Sequence, residues 1–271
     1  MRWSIGGCLT AAVLFLASGA ASAGDRPFAF AYTTDIEEQG ETEIEQEITW
    51  ASGHTREAFQ EILSGTEFEY GVTDDLQAAF ILNYAWARTR SQGGFAETSS
   101  LPGIAAEFIY RLTDVHSDPL GLAVFGAGSV GNGSRAFELK ALLQKNLLHD
   151  RLRLVLNINV EDVWEKNGPG GYDQSSVFGF TGGAAYSLTP EWNIAAEFAN
   201  ERGFDGLILG GASRYVDNAT FAGPTIAYVG EPFSIVLAAQ AQLPWAGGAL
   251  GNGYLATAER FRIRLRIATD F

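Results

Sequence analysis

The sequence predicts an all-β protein: a transmembrane, antiparallel, up-and-down β-barrel of about twelve strands with both termini on the periplasmic side. Three observations carry that expectation. The chain opens with the pattern of an export leader, most of the remaining chain alternates apolar and polar residues with period two, and the connections form two classes.

The leader comes first. Arg2 forms a short positive region, Ala11–Ala17 an apolar stretch, and Ala21-Ser22-Ala23 a run of small residues, so residues 1–23 read as a cleaved signal peptide. The lone cysteine, Cys8, falls inside it, leaving a mature chain without thiols or disulfides. Net charge is −14, and losing Arg2 leaves 17 basic against 32 acidic residues. So acidic a chain is a poor ligand for nucleic acid. Mean hydropathy is +0.02, and no mature segment approaches the roughly 18 consecutive apolar residues of a membrane helix. Residues 24–40 read as an N-terminal periplasmic segment and 41–271 as the barrel.

Alternation defines the strands. In the last one Phe261, Ile263, Leu265, Ile267, Thr269 and Phe271 share a face, while Arg260, Arg262, Arg264 and Arg266 share the other. A face of arginines suits a barrel lumen, and the apolar face suits lipid. The same parity runs through Leu152–Glu161, Phe233–Gln242, Gln77–Trp86, Phe137–Gln144 and Trp192–Phe198.

Short turns fall at Thr73–Asp75, Leu148–Arg151, Leu188–Glu191 and Gly230–Pro232, with a longer one at Asp114–Pro119. Between them the reading places longer polar loops at Ser91–Ser99, Gly128–Ser134, Lys166–Ser175, Gly203–Ala219 and Pro244–Ala256. Short turns belong in the periplasm and long loops outside. Tyr70, Tyr110, Tyr186, Trp192, Tyr228, Phe233 and Phe271 sit near the short turns. Trp50, Trp86, Trp164 and Trp245 sit near the loops, giving two interfacial girdles.

A last strand ending in Phe271 resembles the recognition signal read by the outer-membrane barrel assembly machinery, which implies that machinery as a partner. The stretches Glu41–Glu45 to Trp50 and Glu67–Asp74, with Leu76-Gln77 beyond, resemble an uncharacterised proteobacterial outer-membrane β-barrel family, often labelled hypothetical or transporter-like. That resemblance implies fold and location in the outer membrane of a Gram-negative bacterium, and no activity.

The inward parity assigns lumen charges. The bases are Arg111, Lys140, Arg153, Arg262, Arg264 and Arg266; the acids include Glu43, Glu45, Glu47, Glu67, Glu69, Glu107, Glu138, Glu161 and Glu197. Closing the barrel sets the glutamates of the first strand beside the arginines of the last, and opposite-sign ladders favour that pairing. The ladders could fix the register and fill the lumen, or form a charged constriction. About twelve strands allow either a narrow pore or a plugged one.

Catalysis finds little support. Of three histidines only His54 lies at an outer loop, near Glu57 and Glu61, where solvated glutamates are expected. No paired His or Cys spacing suggests a metal, and Gly247–Gly253 lacks the lysine of a phosphate loop. The expectation is a cofactor-free channel for small hydrophilic solutes in contact with outer-membrane lipid. A non-conducting structural or partner-binding barrel is the alternative, with a surface hydrolase more distant and a soluble sandwich or lipocalin-like barrel as the other fold. The apolar loop Gly203–Ala219 reads as an inward lid or a contact for a partner.

Overall fold

The computed structural model describes residues 26–54, 58–91, 94–131, 133–244 and 258–271. The expected leader, Glu57, Trp245 and nearly all of the loop Pro244–Ala256 lie outside those residues. Twelve strands run in order: β1 Thr42–Ser52, β2 Ala58–Thr73, β3 Leu76–Ser91, β4 Gly94–Thr113, β5 Gly121–Gly131, β6 Ser134–Leu147, β7 Leu152–Lys166, β8 Tyr172–Ser187, β9 Trp192–Leu207, β10 Ala212–Gly230, β11 Phe233–Gln242 and β12 Phe261–Asp270. Each pairs antiparallel with its sequence neighbours and β1 pairs with β12, so the sheet is a closed barrel without edges. Among the described residues there is no helix.

Parity behaves as the alternation requires. Phe261, Ile263 and Ile267 of β12 are exposed on the outer wall, whereas Arg262 and Arg266 are buried within. The girdle residues Tyr70, Tyr110, Trp192, Phe233, Phe271 and Trp50 are exposed outward, as aromatic belts are. Both ends of the strand set lie at the short-turn end, where Glu43 faces Asp270.

Among the described residues, the expected long loops Ser91–Ser99, Gly128–Ser134 and Gly203–Ala219 are mostly strand. Only residues 92–93 separate β3 from β4, and 208–211 separate β9 from β10, so Ser91–Ser99 and Gly203–Ala219 are largely hairpin arms. The physical reason is that arms reaching past an apolar band have water on both faces. They keep their ladder hydrogen bonds but lose the alternation that marks a strand.

The tip of the β9–β10 hairpin also turns the other way from an inward lid. Asp162 pairs with Phe137, which is exposed on the outer wall, so Asp162 faces outward too. Its carboxylate accepts the amides of Ile208 and Leu209, both at 3.1 Å, and the Ser176 hydroxyl at 2.6 Å. The tip therefore folds down over the outer wall and seals a carboxylate there.

Candidate functional site

The largest departure from the sequence reading is at the N-terminus. Residues 26–37 lie inside the barrel and line the short-turn half of the lumen, and residues 38–40 are exposed at its rim. Phe28, Ala29 and Ala31 are completely buried. The segment forms no strand, so its backbone needs other partners. Inward side chains supply them, one strand after another. Glu197 of β9 accepts the amides of Ala29, Phe30 and Ala31 at 2.9, 2.8 and 3.0 Å. Asn157 of β7 takes the amide of Tyr32 at 2.7 Å and returns its own NH2 to the Tyr32 carbonyl at 2.9 Å. Gln144 of β6 accepts the Thr34 amide at 2.7 Å, and Gln77 of β3 accepts the Glu37 amide at 2.9 Å.

Apolar contacts complete the seat. Phe28 and Ala31 pack on Val155 and Ala185, Ala29 on Ala227, Val236 and Ala238, and Tyr32 and Ile36 on Ile109, Phe125 and Leu142. Gly183 makes room, because a Cβ there would stand 2.7 Å from the Phe28 ring.

The seam has the expected chemistry, one step along the diagonal. Arg266 pairs with Glu45, and Arg264 with Glu47 at 3.0 Å. Arg262 departs from the pattern: its partners are Glu201 of β9 at 2.9 Å, Gln240 of β11 at 2.9 Å and Glu259 at 3.5 Å. The arginines also hold the plug. Arg266 donates to the carbonyls of Phe28 at 2.8 Å and Arg26 at 3.2 Å, and Arg264 to that of Ala29 at 3.3 Å. Both Arg262 and Arg264 stack on Phe30, 4.6 and 4.4 Å from its centroid.

The remaining lumen candidates divide by height. Lys140 pairs with Glu138 at 3.1 Å, and Glu138 lies beside Glu161 across the β6–β7 ladder. Glu43, Glu67, Glu69 and Glu107 are buried below or against the plug. Arg111 sits at the short-turn rim, donating to the Asp74 carbonyl with Asp75 at 3.6 Å, and Arg153 enters β7 at that same end. These two are rim residues, away from the open part of the lumen. At the opposite rim His54 stacks on Phe59, 3.9 Å between centroids.

Above the plug, among the described residues, mostly polar side chains line two cavities. A cavity of about 650 Å³ at the hairpin end is lined by Glu47, Asn83, Ser129, Glu165, Lys166 and Arg264. A chamber of about 230 Å³ adjoins Arg264 deeper in, bounded by Phe30, Tyr32, Lys140, Asn159, Glu201 and Arg262. Phe30 and Tyr32 belong to the plug, which is the chamber's floor.

At the short-turn end His116, between β4 and β5, meets Asp35 of the plug at 3.2 Å. The hydrogen bond to Asp35 raises the His116 imidazole above its ordinary value. Burial pushes the Asp35 carboxyl up, but hydrogen bonds from His116 and Gln144 outweigh this and hold it low. The stability His116 adds is complete below about pH 6.5, its unfolded value, and is lost as pH rises through its raised one. Asp35 contributes above about pH 3.9 and loses that as pH falls through its lowered value. This latch is therefore strongest between about pH 4 and 6.5. Amide exchange at Tyr32–Glu37 is expected to quicken modestly from pH 6 to pH 8 after correction for intrinsic rates, because His116 is more than half exposed. In His116→Gln that extra pH dependence should vanish; its persistence would remove His116 from the latch.

Fold and lumen together define the class: an outer-membrane-type β-barrel that carries its own N-terminal segment inside. The chain belongs to DUF6662, a family of unknown function, whose model matches residues 20–271. No curated protein matches the chain. Among solved structures it is similar to the COG4313 outer membrane channel from Pseudomonas putida F1, at 15% identity and TM-score 0.66, over 86% of this chain and 96% of that one. It is also similar to the β domain of the Bordetella autotransporter BrkA, at 12% identity and TM-score 0.55, over 86% and 100%. The NanC porin matches at 10% identity and TM-score 0.54, over 83% and 98%. At such identities the likeness is one of fold.

Proposed function

We propose that this protein spans the outer membrane with its short turns in the periplasm, as a channel for small hydrophilic solutes that its N-terminal segment holds closed. One observation carries the reading: a polar cavity runs from the hairpin end down to the arginines and stops at a segment joined to the wall without strand pairing. A plug seated by side-chain hydrogen bonds can leave and return without breaking the barrel's ladder. Solute would enter past Glu47 and Arg264, meet Arg262, Lys140 and Glu138, and pass once the plug moves. Lining charges are nearly balanced there. Glu47, Glu138, Glu165, Asp173 and Glu201 stand against Lys140, Lys166, Arg262 and Arg264, so selection by sign should be weak and lean toward cations. The similarity in fold to a named channel and a named porin agrees with this use of the lumen.

Planar-bilayer conductance tests the proposal. The mature protein should be silent or open rarely, while deletion of residues 26–38 should give stable, discrete steps. Arg264→Gln in the deleted background should shift ion preference further toward cations. If the deleted protein is folded by its heat-dependent gel mobility and still silent, the barrel does not conduct. The lumen would then be a binding cavity or a structural fill.

A further inference from the structure

At the short-turn end the plug passes a group of acids. Glu37 of the plug, Glu43 of β1 and Glu69 of β2 are all buried, and one oxygen from each lies within 4.8 Å of the other two. They border a cavity of about 20 Å³ that Gln77 and Arg266 also line, enough for one water-sized occupant. Glu43 is 3% exposed, yet its Oε2 has no hydrogen-bond partner. Directly across the seam, both carboxylate oxygens of Asp270 are buried too, and the Asp270 carboxyl lies within hydrogen-bonding reach of Glu43. Two guanidiniums also border this cavity, Arg266, which is engaged by Glu45, and Arg26. Buried carboxylates are expected to pair with cations or to coordinate metals. Gln77 fixes the group's geometry: its amide donates to Glu69 while its carbonyl oxygen accepts the backbone amide of Glu37.

We propose that these carboxylates bind one divalent cation of calcium's size, which clamps the plug to the barrel wall. Magnesium demands near-ideal octahedral geometry and keeps several of its waters, for which a cavity of about 20 Å³ has no room, whereas calcium takes carboxylate oxygens in flexible geometry. Glu37, Glu43 and Glu69 supply the ligands, and Asp270 adds charge from across the seam. Because Glu37 belongs to the plug, the site is complete only when the plug is seated. Ion binding and seating are then linked, and calcium shifts the plug toward its bound position. The clamp is independent of whether the barrel conducts.

The test uses mature protein in detergent, stripped with EDTA and titrated with calcium chloride by calorimetry, with amide exchange of the plug followed in parallel. One ion per chain is expected, with affinity at least tenfold weaker in Glu37→Gln and in Glu43→Gln. Calcium should slow exchange across Thr33–Glu38 in the unmodified chain and leave it unchanged in either variant. Glu37→Gln alters only the plug, so it reads the site even where Glu43→Gln fails to fold. No uptake by the unmodified chain, or uptake that Glu37→Gln leaves intact, would overturn the clamp. Calcium bound by the unmodified chain, with the variant lacking residues 26–38 folded yet silent in bilayers, would overturn the channel reading alone.

Discussion

Replacing Glu197 with alanine is expected to release the N-terminal segment while leaving the barrel standing. Three consecutive plug amides and the Thr225 hydroxyl converge on this one carboxylate. A buried donor left without an acceptor costs about 1–3 kcal/mol, so three stranded amides would cost roughly 3–9 kcal/mol if the plug stayed. Leaving the lumen lets those amides reach water, which is the cheaper response. Amide exchange at Ala29–Ala31 should accelerate by at least a hundredfold, and protease should cleave the segment. The barrel's unfolding midpoint should move little, since no strand pairing depends on Glu197's side chain. Glu197→Gln, which keeps one acceptor oxygen, should fall between. Unchanged protection of Ala29–Ala31 in the alanine variant would refute the plug's mode of seating.

Arg266→Gln should weaken the barrel itself. Arg266 and Glu45 are 5% and 3% exposed at their side chains, and they join the first strand to the last. Removing one member of a buried pair leaves an uncompensated charge and typically costs about 3–5 kcal/mol. The carbonyls of Phe28 and Arg26 lose their donor in the same step. The temperature at which the heat-dependent gel shift occurs should drop, and plug exchange should quicken. Adding Glu45→Gln should restore much of the barrel's stability, because a neutral pair no longer strands a charge. A variant as stable as the parent, or a double variant with no recovery, would show that closure does not rest on this pair. Arg264 shares its load among Glu47 at 3.0 Å, Thr49 at 2.8 Å and the Ala29 carbonyl, so its loss should cost less.

The plug also had a signature in the sequence, although alternation alone does not expose it. Ile109, Phe125, Leu142, Val155 and Val236 occupy inward positions, where a water-filled pore would place polar side chains. Apolar residues on the polar parity mark an inner wall that something covers. Nothing in residues 26–41 says that this segment is the cover, because Thr33, Thr34, Asp35, Glu37 and Glu38 read as a solvated linker. Glu197 likewise reads as one more lumen acid, and Asn157, Gln144 and Gln77 as ordinary polar lining. Their convergence on one backbone depends on strands far apart in the chain; Glu197 and Ala29 are 168 residues apart.

The barrel, its strand number, the outward and inward faces and the pairing of a glutamate strand with an arginine strand are all legible in the sequence. Each rests on period two, which is a property of neighbouring residues and survives without knowledge of the rest of the fold. Tertiary structure alone decided what fills the lumen, where the hairpin tips lie and which acids meet. Barrel closure brings the inner faces of all twelve strands around one volume, and only there do an unpaired segment's amides find acceptors from four different strands.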